Sequence, residues 1–94
     1  MNCQNIMKVL KFGASWCEGC KVMKPRWEEI EKEYPWLETK FISIDEHPEA
    51  MKEYKIMSLP TAIFLDKQNQ EIARFSGEVE KEVLIKAILE NKDK

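Results

Sequence analysis

The stretch Trp16-Cys17-Glu18-Gly19-Cys20-Lys21 joins an apolar run, Val9 to Phe12, to a long segment with helical spacing. This arrangement predicts that both cysteines lie where a β-strand passes into an α-helix. Side chains three residues apart on a helix are neighbours, with Cβ atoms about 5–6 Å apart, whereas a disulfide requires about 3.5–4.5 Å. A slightly tightened first helical turn therefore lets the bond between the two sulfurs form and break.

The composition indicates one compact domain. The 94 residues, 44% of them apolar, suffice for one hydrophobic core but not for two. We expect a single domain over residues 1–94, with its core at about 7–89 and frayed ends at 1–6 and 90–94. A monomer is the default expectation.

Charge and hydropathy exclude two classes of partner. The formal net charge is -2 and the basic residues are interspersed with acidic ones, so we expect no nucleic acid partner. No apolar run reaches the roughly 18–20 residues of a membrane span, and residues 1–5 lack the apolar core of a signal peptide. We therefore expect no membrane association and a cytoplasmic location.

Apolar periodicity predicts seven elements in the order β-α-β-α-β-β-α. The predicted strands are 7–12, 40–45, 61–65 and 71–75, and the predicted helices are 17–34, 47–54 and about 79–88. The first two strands are expected to be buried. A right-handed β-α-β unit followed by a hairpin and a helix gives an α/β fold, with a four-stranded mixed central sheet and helices on both faces.

The position of each cysteine predicts its chemical role. Cys17 begins the helix, where free N–H groups and the helix dipole favour a thiolate, so we expect it to be the nucleophile. The pKa of cysteines in such positions falls to about 3.5–7.5. Cys20 is expected to be less exposed and to act as the resolving thiol, attacking the mixed disulfide that Cys17 forms with a substrate. Trp16 either provides an apolar contact to the substrate or belongs to the core.

Zinc binding is an alternative use of the thiols. Cys3, Cys17, Cys20 and His47 provide the ligand count of a Cys3His site. However, structural zinc sites pair their ligands at short spacings on both sides, and here Cys3 and His47 each stand alone. We therefore expect no metal, treat Cys3 as a spare thiol and assign no specific role to His47.

Several residues together resemble the thioredoxin family over about residues 7–89. Lys21 follows the cysteine pair, and Pro25 stands at the position of the family's helix-kinking proline. Leu59-Pro60-Thr61 resembles its cis-proline loop, and Gly77 resembles its glycine before the last helix. The segment 12–14 and Asp45 also match the family's pattern.

The typical member of the family has an extra strand and helix before the first strand predicted here. Residues 1–6 are too few to supply them, so the resemblance is to a minimal, N-terminally shortened thioredoxin fold.

The resemblance implies a peptide groove around Cys17. Pro60 would be cis and would lie against the disulfide, and the backbone of Leu59 would pair with an extended substrate. Trp16, Ser58 and Gly77 would border the groove. Gly77 is also explained as a simple turn glycine.

The sequence departs from the family's pattern around the thiols. Glu18-Gly19 replaces a common Gly-Pro, which loosens the turn and adds a charge that opposes the thiolate. Lys11 stands where the family usually has a buried acid. It either extends its ammonium to the surface or stays near the thiols and favours the thiolate. Lys40 matches a lysine that often accompanies that acid, so Lys11, Glu18 and Lys40 are candidate modulators of the thiol pKa.

The resulting prediction is a thiol-disulfide oxidoreductase that reduces protein disulfides and serves electron transport and cell redox homeostasis. We expect it to need no cofactor, and a separate reductase to regenerate its dithiol. The alternatives are a glutaredoxin-like, glutathione-dependent reductase and a non-catalytic binding or metal-binding module.

Overall fold

The computed structural model describes residues 7–92, which form the predicted seven elements in the predicted order. The strands are β1 (Lys8–Gly13), β2 (Glu38–Ser43), β3 (Thr61–Leu65) and β4 (Glu71–Ser76). The helices are α1 (Glu18–Glu33), α2 (Glu49–Glu53) and α3 (Lys81–Asn91). Among these residues, none of the helices has the length and apolar character needed to cross a membrane.

The four strands form one mixed sheet in the order β2-β1-β3-β4. β1 is parallel to β2, as expected of two strands joined by a helical crossover, and antiparallel to β3. β3 and β4 form the predicted antiparallel hairpin. β1 is therefore central, and its carboxyl end delivers the chain to the cysteine pair.

Alternation along β1 and β3 divides the core into two layers. Val9 and Phe64 point to the face that α1 and α3 cover, where they pack with Trp27 and Leu84. Phe12 and the other residues of opposite parity point to the face that carries α2. Helices on both faces and a four-stranded mixed sheet confirm the predicted fold class.

β2 differs from the prediction in position and burial. It begins at Glu38, two residues earlier than predicted, because Glu38 and Thr39 pair with the first residues of β1. The expectation of a buried strand is wrong: within the described residues β2 pairs on one side only, and Phe41 is 59% exposed. Its apolar composition reflects an edge strand with one partly covered face.

The ends of the chain fall partly outside the described residues. The predictions for residues 1–6, which include Cys3, and for residues 93–94 cannot be compared with the structure. α3 continues to Asn91, two residues beyond the predicted core. The Asn91 amide donates to the carbonyl of Ala87 at 2.8 Å and so closes the last helical turn.

Candidate active site

The two cysteines lie at the amino end of α1 and are joined by a disulfide. Cys17 is the N-cap of the helix, with extended backbone angles (φ -90°, ψ 115°), and its Sγ accepts the Cys20 backbone N–H at 3.1 Å. The Cα atoms are 5.3 Å apart, as in one tightened helical turn. The helix end therefore offers Cys17 sulfur both a hydrogen bond and the positive end of the dipole, which favour its thiolate.

The exposure of the cysteines is the reverse of what we expected. Cys17 is only 5% exposed in this disulfide form, whereas Cys20 is half-buried. Cys20 lines a cavity beneath α1, and Cys17 does not. The sequence could not show that cavity, because it depends on how α1 lies over the sheet.

Pro60 forms one wall beside the disulfide loop. The Leu59–Pro60 peptide bond is cis, as the resemblance implied. A Cβ placed on Gly19 would lie 2.8 Å from Pro60 Cδ, so the proline ring packs directly against the loop between the cysteines. The Pro60 carbonyl accepts the Gly77 N–H at 2.7 Å, which brings Gly77 to the same wall.

Gly77 and Thr61 hold this wall in shape. Gly77 has φ +80°, in the left-handed region where a side chain strains the backbone, although a Cβ there would meet no atom within 4 Å. The buried Thr61 hydroxyl donates to the Ser58 carbonyl at 2.6 Å and so ties the loop before Pro60 to β3.

Leu59 and Ser58 leave part of their surface available beside the disulfide loop. Leu59 is half-buried and packs on the α2-side core, while the Ser58 side chain is exposed. Within residues 7–92, the backbone N–H and C=O of Leu59 have no hydrogen-bond partner in the protein. These two groups are the kind that an added strand pairs with.

Trp16 is held at the surface by Asp45. Its indole is 64% exposed, which excludes the core alternative, and its Nε1 donates to Asp45 Oδ1 at 3.1 Å. The Ser15 backbone N–H donates to the other carboxylate oxygen at 2.9 Å. Asp45 thus orients both residues that precede Cys17. Its match to the family's pattern was visible in the sequence, but its partners were not.

Lys11 does not extend its ammonium freely into solvent, since its side chain is 19% exposed and it lines the same cavity as Cys20. Its ammonium forms an ion pair with Glu31 Oε2 at 2.5 Å and lies 5.8 Å from the centroid of the Trp27 ring. Thr39 Oγ1 donates to the same Glu31 oxygen at 2.9 Å. Glu31 was not among the residues predicted from the sequence, although its eleven-residue spacing from Cys20 places both on one stripe of α1.

The other candidate modulators, Lys40 and Glu18, are exposed to solvent. Lys40 pairs with Leu10, whereas Phe41 is the partner of Lys11, so the pleat places Lys40 on the face opposite Lys11. Glu18 is exposed and forms an ion pair with Lys21 at 3.5 Å. Charges this exposed interact weakly because water screens them.

His47 lies apart from the thiols. Its imidazole is exposed, with Nδ1 3.5 Å from Glu49 Oε2. In the part of the chain from Met7 to Lys92, no three His, Cys, Asp or Glu side chains are grouped so as to hold a metal ion. Cys3 lies outside that part.

A family model for thioredoxin matches residues 2–90 of the chain. The chain belongs to the thioredoxin family. Proteins of this family are thiol-disulfide oxidoreductases, and the disulfide-bonded C-x-x-C pair of this thioredoxin-family chain is consistent with that activity. The family assignment made from Pro25, Pro60 and Gly77 is therefore confirmed.

Individual thioredoxins are similar over most of this chain. Thioredoxin H5 of Oryza sativa is 38% identical over 69 residues, which are 73% of this chain and 50% of that protein. A thioredoxin of Chlamydia caviae is 35% identical over 80 residues, 85% of this chain and 78% of the relative. The match to a Fagopyrum esculentum thioredoxin H-type spans 66% of that protein, so the chain covers from half to about four-fifths of these relatives.

Solved thioredoxin structures share the fold. The crystal structure of a thioredoxin from Nicotiana alata superposes with a TM-score of 0.86 at 30% identity, covering 94% of this chain and 75% of that one. The thioredoxin of Fasciola hepatica gives 0.85 at 30% identity, with 96% and 85% covered.

The Asp45–Trp16 contact predicts a pH-dependent change in the thioredoxin site. The hydrogen bonds from Ser15, followed by that from Trp16, lower the pKa of Asp45 below its ordinary value of 3.8. Because the folded pKa is lowered, the carboxylate stabilises the native state fully above its ordinary pKa of 3.8, and this stabilisation is lost as the pH falls through the folded pKa. The fluorescence of Trp16, taken as the difference between the parent and a Trp16→Phe variant, should change with a midpoint below pH 3.8.

Asp45→Asn is the matched variant for this titration, since the asparagine amide has a similar shape but does not titrate in this pH range. We expect it to remove the low-pH transition of Trp16. An unchanged transition in Asp45→Asn would assign the fluorescence change to another group.

Proposed function

We propose that this protein is a thiol-disulfide oxidoreductase that reduces disulfide bonds in other proteins. The observation that carries the proposal is the position of Cys17 at the N-cap of α1. Its sulfur accepts the Cys20 N–H, and the loop between the two cysteines packs at Gly19 against Pro60, which follows the unpaired backbone groups of Leu59. A stabilised thiolate next to a pairing edge suits attack on a disulfide in an extended peptide.

The reaction proceeds by two thiol-disulfide exchanges. The Cys17 thiolate attacks one sulfur of the substrate disulfide, forms a mixed disulfide and expels the other sulfur as a thiolate, which takes a proton from water. The Cys20 thiol then gives its proton to water and attacks Cys17 Sγ as a thiolate, which breaks the mixed disulfide and releases the second substrate sulfur as a thiolate that takes a proton from water. The substrate gains two electrons, and the enzyme is left with the Cys17–Cys20 disulfide seen in the structure.

Cys17 is assigned as the nucleophile on electrostatic grounds. The exposure of the sulfurs does not distinguish the roles as expected, because Cys17 is the more buried in the disulfide form. The helix dipole and the hydrogen bond from Cys20 N–H act on Cys17 sulfur. Opening the disulfide also frees both sulfurs to change rotamer.

The surrounding residues are proposed to bind the substrate. Trp16 offers an exposed apolar surface, Ser58 and Gly77 border the groove, and the backbone of Leu59 pairs with the peptide beside Pro60. Recognition would therefore depend on the extended backbone around the substrate disulfide more than on a particular sequence.

The cellular setting belongs to the same proposal. We place the protein in the cytoplasm as a single-domain monomer that contributes to electron transport and redox homeostasis. Its partners would be disulfide-containing proteins and a separate reductase that returns Cys17 and Cys20 to the dithiol. It would use no metal or cofactor, because both electrons reside in the thiol pair.

Insulin reduction with dithiothreitol as the electron donor tests the proposal. Catalytic amounts of the protein should accelerate precipitation of the reduced insulin B chain well above the rate with dithiothreitol alone. A parallel assay with glutathione and glutathione reductase distinguishes the glutaredoxin-like alternative, which predicts turnover in that assay. The absence of acceleration in the insulin assay would contradict the proposed function.

A further inference from the structure

A cavity of about 450 Å³ lies between α1 and the sheet, and Cys20 is one of the residues that line it. On the helix side it is lined by Cys20, Lys24, Trp27 and Glu31, whose four- and three-residue spacings place them on one stripe of α1. On the sheet side, Lys11 lines the same cavity. The proposed resolving residue and two oppositely charged residues therefore line one cavity that is open to solvent.

Gly13 brings Cys20 close to the strand that carries Lys11. A Cβ on Gly13 would lie 3.0 Å from Cys20 Sγ, so the sulfur rests almost on β1. Lys11 is two residues earlier on the same face, roughly 7 Å along the strand. Because Gly13 has no side chain, it places no atom between Cys20 Sγ and the Lys11 side chain.

Two of the charged residues that line this cavity, Lys11 and Glu31, form an ion pair. Lys11 Nζ is 2.5 Å from Glu31 Oε2, and the two side chains are 19% and 32% exposed. The Thr39 hydroxyl also donates to Glu31 Oε2, at 2.9 Å. The pair thus brings one positive and one negative charge to the cavity and adds no net charge beneath Cys20.

The other charged groups near Cys20 are more exposed. Lys21, Lys24 and Glu28 also line the cavity from α1 but are exposed to solvent. Glu18 is paired with Lys21 in solvent. The exposed Glu78 lies near Gly19, since its Cγ would be 3.5 Å from a Cβ placed on that glycine. Among the described residues, those that β2, β3, β4 and α3 contribute to the lining are uncharged: Phe41, Thr61, Ala62, Phe75 and Leu84.

We propose that the Lys11–Glu31 ion pair controls the resolving step by keeping the cavity beneath Cys20 electrically neutral. The inference rests on the proposed function, in which Cys20 must become a thiolate before it attacks Cys17. A lone Glu31 would oppose the developing negative charge and a lone Lys11 would favour it, because charges in a partly buried site are weakly screened. With both charges present, the tendency of the Cys20 thiol to ionise lies between those that either charge alone would produce.

The experiment removes each charge separately in a Cys3→Ser/Cys17→Ser background, where Cys20 is the remaining thiol. The rate of Cys20 alkylation by iodoacetamide is measured against pH. Lys11→Met should move the midpoint up and Glu31→Gln should move it down, each by about half a pH unit or more. The double variant Lys11→Met/Glu31→Gln should return the midpoint towards that of the parent.

Lys81→Met is the matched control. Lys81 also bridges α1 carboxylates, at 3.1 Å from Glu29 and 2.9 Å from Glu33, but none of the three lines the cavity. It should leave the Cys20 midpoint unchanged. Loss of packing alone would affect both cavity variants in the same direction, so opposite shifts separate an electrostatic role from a structural one.

Shifts in one direction, or no shift in folded variants, would overturn the inference. If Lys11→Met does not fold, as judged by circular dichroism, Lys11→Gln removes the same charge and keeps a polar contact for Glu31. The alkylation assay contains no substrate disulfide, so it gives its result whether or not the protein reduces insulin. Failure of the insulin assay alone would therefore reject the proposed function and leave the charge coupling measured.

Discussion

Cys17→Ser should reduce insulin no faster than dithiothreitol alone. The serine hydroxyl occupies the N-cap and still accepts the Cys20 N–H, so the amino end of α1 keeps its cap. What is lost is the sulfur that is proposed to attack; among the described residues, Cys17 sulfur accepts a hydrogen bond at the helix end and Cys20 sulfur does not. The expected result is therefore a loss of catalysis without a loss of fold.

Cys3→Ser is the matched control for that substitution, since it removes a thiol that the proposed reaction does not use. It should keep the activity of the parent. Retention of substantial insulin reduction by Cys17→Ser would show that Cys20 or Cys3 performs the attack, and the assignment of Cys17 would then be wrong.

Phe64→Ala should strongly reduce the free energy of unfolding. Phe64 is fully buried in the core beneath α1 and α3, with its ring centroid 6.4 Å from that of Trp27 and 5.4 Å from that of Phe75. Truncating a buried phenylalanine costs about 3–5 kcal/mol, because apolar contacts are lost and a cavity remains. Since small domains are stable by about 5–15 kcal/mol, the urea midpoint should fall steeply in circular dichroism.

Phe41→Ala is the same substitution at the exposed edge of the sheet. The Phe41 side chain is 59% exposed, so the free energy of unfolding should change by no more than about 0.5 kcal/mol. Equal losses in Phe41→Ala and Phe64→Ala would contradict the description of β2 as an exposed edge strand and of β3 as central.

The strands with strong alternation or complete burial could be predicted from local sequence. β3 matches its predicted residues, because an apolar run between a proline loop and a polar turn strongly favours a buried strand. β2 was wrongly predicted to be buried because Phe41 and Ile42 resemble a buried strand. Exposure at a sheet edge depends on which strands are neighbours, and sequence periodicity carries little information about that.

The site was predictable where chemistry follows chain position and not where it follows tertiary contact. Cys17 at the start of α1 follows from the strand-to-helix junction. The ion pair between Lys11 and Glu31 joins β1 to the last turn of α1, and the hydrogen bond between Trp16 and Asp45 joins two loops. Such contacts require the fold, so the sequence indicated an unusual Lys11 but not its partner.

Trapping with Cys20→Ser tests the central claim, that Cys17 attacks and Cys20 resolves, most directly. Reduced Cys20→Ser protein would be mixed with insulin, quenched with acid and digested for mass spectrometry without reduction. The proposed mechanism predicts a stable disulfide between Cys17 and an insulin cysteine, because the second exchange cannot occur. Insulin linked to Cys3, or no covalent adduct under conditions in which the parent protein is oxidised by insulin, would contradict it.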